Sequence, residues 1–288
     1  MDTKAMKIKV AKLSWLVANP YAIVASSILT IFLACAAFSS WLAPYPKEGA
    51  GAPNVAHTLI GPSRLHLLGT DELGRDLLSR IIFGARPALL TSLTVVGTAA
   101  LVGTLLGLIA GFRGGLIDAA VMRLSELFLS FPPLLLSLVA VSLLGPGLRN
   151  ALIALIVSWW PWYARLIRNE SRSIKSQPFV EIAQAMGVSS WKIMTRHLLR
   201  NITSSLIVQI AADLGTVILA AGSLAFIGLG AQPPSSDWGL MVAQGRTVIF
   251  DQWWISTFAG LAIFIVVLAF NLLGDELRDY LDPRKRAK

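Results

Sequence analysis

Long apolar runs constrain this chain more than anything else in it. Six stretches, approximately residues 21–43, 88–111, 119–144, 151–168, 204–228 and 256–275, approach the roughly 20 residues that a helix needs to cross a bilayer. Hydrocarbon offers backbone groups no water, so such runs must satisfy their hydrogen bonds internally. Strands of a membrane barrel alternate over about 10 residues, and these runs do not. The fourth is the shortest and is interrupted by Pro161. Only 14% of the residues are charged and 55% are hydrophobic, against about a quarter charged in a soluble domain. The expectation is an all-α integral membrane protein with six transmembrane helices.

The first run follows several lysines, and Leu33-Ala34-Cys35 faintly resembles a lipoprotein cleavage site. A signal core has about 7–15 apolar residues; this run is longer, so it is expected to remain as the first helix. Cys35 is the only cysteine and can form no internal disulfide. His57, His66 and His197 are too scattered in sequence to read as a metal site. The net charge of +9 would suit nucleic acid, but the basic residues flank the apolar runs, which favours membrane orientation over nucleic-acid binding. With the N-terminus cytoplasmic, Lys4, Lys7, Lys9 and Lys12 lie inside. So do Arg168, Arg172, Lys175, Lys192, Arg196 and Arg200 of the largest polar loop, and Arg278, Arg284, Lys285, Arg286 and Lys288 of the tail. The resulting order is a cytoplasmic segment 1–20, a first helix 21–43 and an extracytoplasmic loop 44–87. A core of 88–275 follows, containing a cytoplasmic loop 169–203, and then a cytoplasmic tail 276–288.

The loop after the first run carries a charged island, "GTDELGRDLLSRIIFGAR", Gly69 to Arg86. Thr70 is a good N-cap, and Asp71 and Glu72 suit the positive end of a helix dipole. Leu73, Leu77, Leu78, Ile81 and Ile82 fall on one side of a helix, with Asp76 and Arg80 four apart on another. The pattern predicts a short amphipathic helix over 71–83. Its charges are either a solvated face or contacts to a second subunit or an external receptor, with Asp71 and Arg75 as candidates.

The polar loop contains "SQPFVEIAQAMGVSSWKIMTRHLLRN", Ser176 to Asn201. Pro178 can start a helix, Glu181 favours its first turn, and Ala183 and Ala185 propagate it. Gly187 breaks it where a residue without a Cβ is cheap. A second helix follows, with Trp191, Ile193, Met194 and Leu198 as an apolar stripe beside Lys192, Arg196 and Arg200. Such a helix–glycine–helix unit is either a shape that another protein's groove receives or an amphipathic loop on the inner leaflet.

Charges inside apolar runs are functional candidates. Asp213 lies near the middle of the fifth run; it could line a pathway, cap a neighbouring helix or bond a partner subunit. Arg123 and Glu126 in the third run are three apart and can pair with each other. Gly103, Gly107 and Gly111 repeat every four residues along the second run, a stripe that lets a helix, of this chain or a partner, approach closely. Trp253 and Trp254 suit interfacial anchors at the start of the sixth run.

Taken together, these segments resemble a known family. Glu181, Ala183, Ala185, Gly187, His197 and Leu198 match the glutamate–alanine loop of ABC-importer permeases, with Ile182 where alanine is common and Arg200 where proline often closes the motif. "LGTDELGRDLLSRIIFGAR", "GGLIDAAVMRLSELFLSFP" (Gly114 to Pro132), "FIGLGAQPPSSDWGLM" (Phe226 to Met241) and "FNLLGDELRDYLDPR" (Phe270 to Arg284) resemble the dipeptide/oligopeptide/nickel group. Within that group the chain is similar to the second permease of the pair.

The resemblance implies a type I ABC importer permease fold and a set of partners. These are a homologous second permease in a heterodimer, two ATP-binding cassette ATPase subunits, an extracytoplasmic solute-binding protein and the bilayer. ATP and magnesium would reside on the ATPase subunits, since the chain has no Gly-x-x-x-x-Gly-Lys-Ser/Thr loop, and no cofactor or metal is expected here. The helix around Glu181–Gly187 would be the coupling element. Asp213, Arg123 and Glu126 are candidates for the pathway. Gln232 and Trp238, in a proline-stiffened turn, are candidates for the outer gate or binding-protein contacts, and Trp238 alternatively for an interfacial anchor. Short peptides lead as substrate, with nickel, opines or oligosaccharides as alternatives. An ion-coupled secondary transporter would be expected to show internal repeats, and a membrane enzyme a catalytic motif such as Gly-x-Ser-x-Gly; the sequence has neither, so no catalytic residue is assigned.

Overall fold

The computed structural model describes residues 19–281. The expectations for residues 1–18 and 282–288, including the basic residues at both ends, lie outside the described residues. Helices dominate, and no strand occurs among the described residues. They are α1 (Pro20–Leu42), a short α2 (Pro46–Gly49), α3 (Leu77–Arg113), α4 (Gly115–Leu129), α5 (Pro133–Leu144), α6 (Leu148–Lys175) and α7 (Pro178–Ala185). Then come α8 (Ser190–Phe226), α9 (Trp238–Gly245) and α10 (Trp254–Leu281).

Local chemistry sets several boundaries. The Asn19 side chain accepts the Tyr21 N–H, and Pro20 occupies the first turn of α1, where its missing N–H is no loss. Pro133 and Pro178 do the same for α5 and α7. Asp237 caps α9 by accepting the Leu240 N–H at 3.0 Å. Pro87 and Pro161 lie within α3 and α6 without ending either helix.

Four helices are long and apolar enough to cross a membrane: α1, α3, α8 and α10. The third expected span, 119–144, is instead two helices, α4 and α5, bent by 87° at the Ser130–Pro132 break; counted as one span they make a fifth. Pro132 and Pro133 supply no N–H to continue the ladder, which explains the break. The fourth expected run, 151–168, is α6, which exists as a 28-residue helix. Its cluster of Trp159, Trp160, Pro161, Trp162 and Tyr163, followed by Arg165 and Arg168, lowers its hydropathy below that of the others.

The described residues form two compact units, 19–91 with 211–281, and 92–210; α3 and α8 each run from one into the other. In the first unit α1 and α9 pack on α10. Its core includes Phe32, Leu77, Ile218, Met241, Val266 and Phe270, and Phe32 meets Phe270 edge-on with ring centres 6.2 Å apart. In the second unit Leu108, Phe112, Ile167, Val180, Ile193 and Ile202 form the core. Lipid tails are as apolar as leucine, so contact quality holds these helices together more than transfer from water does.

The glycine stripe of α3 serves such contact. A Cβ at Gly107 would stand 2.6 Å from the Ala164 carbonyl, and one at Gly111 2.6 Å from the Ser171 Cβ. At Gly103 a Cβ would collide with Tyr163. The helix that approaches is therefore this chain's own α6.

Candidate functional site

Residues 178–202 form the helix–glycine–helix unit. Gly187 has φ +77°, the left-handed region that glycine enters freely. Its N–H bonds the Gln184 carbonyl at 3.0 Å and the Val188 N–H bonds the Ala183 carbonyl at 3.1 Å, the paired closure of a Schellman turn. Val180 and Ala183 are buried, while Glu181, Ile182, Ala185 and Met186 point outward. Phe179, Ile182, Met186 and Trp191 are all large, apolar and exposed, Met186 by 77%. His197 is half-buried with its ring 6.4 Å from that of Phe179, and Leu198 is fully buried.

The second helix differs from the expected regular stripe. Residues Ile193–Leu198 form a π-helical turn, with the Leu199 N–H bonded to the Met194 carbonyl. Ile193, Met194 and Leu198 are buried, but Trp191 is 62% exposed and leaves the stripe. The turn carries one more residue than an α-turn, so a 3.6-residue count drifts off the buried face.

The stem of this loop is tied down by charge. Arg168 of α6 grips Asp118 of α4 with both forks, Nε at 2.7 Å and Nη2 at 2.6 Å, and Arg172 lies 3.7 Å from the same carboxylate. The Lys175 ammonium donates to the Phe112 carbonyl at 2.6 Å, at the end of α3. Ser205 donates to Glu170 at 2.9 Å. Sequence reasoning missed Asp118 and Arg168 as a pair, because they lie 50 positions apart and no periodicity links them. Arg123 and Glu126 pair at 3.3 Å, both highly exposed on α4. Asp213 sits in mid α8 and is 9% exposed.

The charged island departs furthest from expectation. Residues 71–76 are loop, and the helix starts only at Leu77, continuous with the second apolar run. The reason is local. Asp71 Oδ1 accepts the Leu73 and Arg75 N–H groups at 2.9 Å each, a turn that competes with helix. Gly74 has φ +73°, and a Cβ there would overlap the Asn54 carbonyl. The cap of the helix is Asp76, not Thr70: its Oδ2 accepts the Ser79 N–H at 2.8 Å and the Ser79 hydroxyl at 2.7 Å.

The island is also no solvated face. Asp71 and Arg75, the candidates for outer contacts, are each 2% exposed, and Arg80 is fully buried. Asp71 Oδ2 accepts from Arg75 Nε at 2.8 Å and from Arg80 Nη1 at 2.6 Å. Arg80 continues to the Ser235 carbonyl at 3.2 Å and the Gln244 side chain at 3.3 Å. Asp76 meets His66 at 3.0 Å, and His66 meets His57 at 3.1 Å, so two histidines scattered in sequence share one cluster. Among the described residues no group of three or more His, Cys, Asp or Glu could hold a metal.

The aromatics belong to the same assembly. Trp238 is buried, with its indole N–H on the Ile81 carbonyl at 2.9 Å, which is not the setting of an interfacial anchor. Trp254 is buried too, and donates to the Thr70 carbonyl at 3.2 Å; only Trp253 is half exposed, so the expected pair of anchors reduces to one. Gln232 is exposed, its amide folded back onto the Gly228 and Gly230 carbonyls at 3.0 and 3.1 Å. Burial pushes the Asp237 carboxyl above its ordinary value, against the pull of the Leu240 and Gly239 N–H groups.

Known proteins are similar to this sequence along most of its length. The family described as "Binding-protein-dependent transport system inner membrane component" matches residues 103–287. The chain is 41% identical to the probable D,D-dipeptide transport system permease protein DdpC of Escherichia coli (strain K12), over 99% of this chain and 95% of the relative. It is 40% identical to the dipeptide transport system permease protein DppC of Alkalihalophilus pseudofirmus, over 93% and 88%. The glutathione transport system permease protein GsiD of Pectobacterium atrosepticum is 38% identical, over 92% and 88%. Among solved structures, an inward-facing MetNI methionine ABC transporter has a chain similar in fold, with TM-score 0.57 and 19% identity over 70% of this chain and 96% of that one. A multi-pass helical chain of this pattern, matched over most of its length, belongs to the family of inner-membrane permease components of binding-protein-dependent ABC transport systems.

Proposed function

We propose that this chain is one of two paired permeases in an ATP-driven importer of short peptides. It would carry half of the translocation pathway and take its power from two separate ATPase subunits that hold ATP and magnesium. An extracytoplasmic binding protein would deliver the substrate. Names of relatives that transport dipeptides or glutathione favour peptides over nickel, opines or oligosaccharides. Both termini are cytoplasmic in this reading, and six spans result when α4 with α5 is the third and α6 the fourth.

One observation carries the reading: an exposed apolar patch of Phe179, Ile182, Met186 and Trp191 stands on a buried and ion-paired base. Water-facing surfaces seldom keep such residues together without a partner. Glu181, Ala185 and Gly187 lie on the same exposed unit, and Ala183, His197 and Leu198 support it from beneath. An ATPase groove that receives α7 would shift the permease between states only by binding them unequally, and ATP supplies that difference. Asp213, Arg123 and Glu126 are the pathway candidates, and Gln232 and Trp238 belong to the outer gate. Asp71 and Arg75 act there by holding the loop rather than by touching a binding protein.

Gly187→Val tests the reading. A Cβ at Gly187 meets nothing within 4 Å, so the variant's cost is backbone strain at φ +77° and not a clash. Left-handed conformation costs a non-glycine residue roughly 1–2 kcal/mol, enough to reshape the turn while the chain still inserts. Expected are normal membrane levels, ATP hydrolysis no longer stimulated by binding protein, and lost uptake in reconstituted vesicles. Uptake at the wild-type rate would refute the coupling role. Labelling of a cysteine introduced at Gln184 from the outside of intact cells would refute the orientation.

A further inference from the structure

The first unit contains a crevice that the transport reading leaves unused. It measures about 200 Å³ and lies between α1, the start of α3, α9 and α10. Its floor is Phe32, Ala85, Trp238 and Val266, all buried, and its mouth is flanked by Ile31 and Ile265, exposed by 64% and 42%. Three of its walls are helices apolar enough to cross a membrane, and Ile31 and Ile265 lie midway along two of them, at the depth that acyl chains occupy when such helices span a bilayer.

We infer that this crevice is a binding site for one acyl chain of a membrane lipid. The lining offers nothing to a polar ligand. The Trp238 N–H is already committed to the Ile81 carbonyl at 2.9 Å, and every other lining side chain is aliphatic or aromatic except the Cys35 thiol. A free thiol behaves as a small hydrophobe. Water gains no hydrogen bonds in such a place: even an apolar cavity of about 150 Å³ stays dry and takes up hydrophobic guests instead. An α-helix, about 10–12 Å across with its side chains, is too wide to enter. A string of methylenes is slim enough, and in a bilayer it is the solvent.

Occupancy would matter beyond filling space. Trp238 forms the floor and is bonded to α3 at Ile81, and Asp237 beside it caps α9. A chain lodged against Phe32 and Trp238 therefore braces the start of α9 with dispersion contacts that an empty crevice forfeits.

The test reconstitutes the full transporter with phosphatidylethanolamine carrying a photoactivatable diazirine midway along one acyl chain. Cross-linked peptides are then read by mass spectrometry. In the unmodified protein, cross-links per residue should concentrate on the lining residues Ile28, Phe32, Cys35, Ala262 and Val266 relative to the exposed Val24 and Trp41 by about tenfold, the ratio that 1.4 kcal/mol of preference gives. Ala262→Phe, which fills the crevice from α10, should bring the lining down to the level of Val24 while Trp41 is unchanged. Equal cross-linking of lining and exposed face in the unmodified protein overturns the site whether or not the variant assembles. So does capture of another protein subunit by a maleimide–diazirine label attached to Cys35, the only thiol of the chain, which would mean that protein and not lipid fills the crevice.

Discussion

Replacing Asp71 by asparagine is the sharpest perturbation of the charged loop. The carboxylate is 2% exposed and one of its oxygens serves two guanidinium groups, Arg75 at 2.8 Å and Arg80 at 2.6 Å. The three side chains already leave one surplus positive charge; removing the negative one leaves two, in a place that water does not reach. Breaking a buried pair from one side costs about 3–5 kcal/mol, because the remaining charge stays desolvated. The exposed pair of Arg123 and Glu126 gives the control, since its side chains are 85% and 62% exposed and such pairs contribute about 0–1 kcal/mol. Chains of this size lose roughly 2–4 °C per kcal/mol, so Asp71→Asn should lower the midpoint of thermal unfolding by about 6–20 °C. Arg123→Ala should lower it by no more than about 4 °C. The assay is fluorescence-detected unfolding of the purified transporter in one detergent at one ionic strength. Asp71→Asn and Arg123→Ala shifting the midpoint by the same small amount would refute the reasoning, because burial would then confer no added cost. Adding Arg75→Met to Asp71→Asn should restore part of the loss by removing one unpaired cation.

Further expectations concern close contacts and protonation. Gly107→Val should destabilise by about 1–3 kcal/mol through overpacking against Ala164 and Ile167. Gly97→Ala on the same helix meets nothing within 4 Å and should be neutral or stabilising in the same unfolding assay. Because the Asp237 carboxyl is held above its ordinary value, the folded state binds its proton more tightly than the unfolded chain does. Stability from this group therefore grows as pH falls through the folded value and is withdrawn as pH rises above it. Asp237→Asn keeps an N-cap side chain and should flatten that trend, which unfolding midpoints measured across pH will check.

Much of this architecture is legible in the residues. The apolar run for α1 locates its helix closely, and those for α3, α8 and α10 mark helices that reach well beyond them, α3 beginning at Leu77 and α8 at Ser190, because hydrocarbon makes a run of oily residues close its own hydrogen bonds but sets no limit on where the helix continues into polar sequence. Gly187 announces its own turn. What escapes are features decided by partners distant in sequence or by competition between local bonds. The helical pattern of Leu73, Leu77 and Ile81 was genuine, but the Asp71 side chain and Gly74 divert the backbone before Leu77. Nothing in the spacing pairs Asp118 with Arg168, or brings His57 to His66. The π-turn at Ile193–Leu198 shifts faces without changing any residue type, so it exposes Trp191 against the count. Trp254 has the composition of an anchor and the position of a core residue, and only its bond to Thr70 separates the two.

The glycine stripe has a mechanical corollary. Where two backbones touch without intervening side chains there is no cushion to compress, so α3 from Gly103 to Gly111 and the facing part of α6 behave as a laminate. Lys175 rivets its end to Phe112. A thrust delivered at Pro178 cannot slide one sheet of that laminate over the other; it must carry both as a single board.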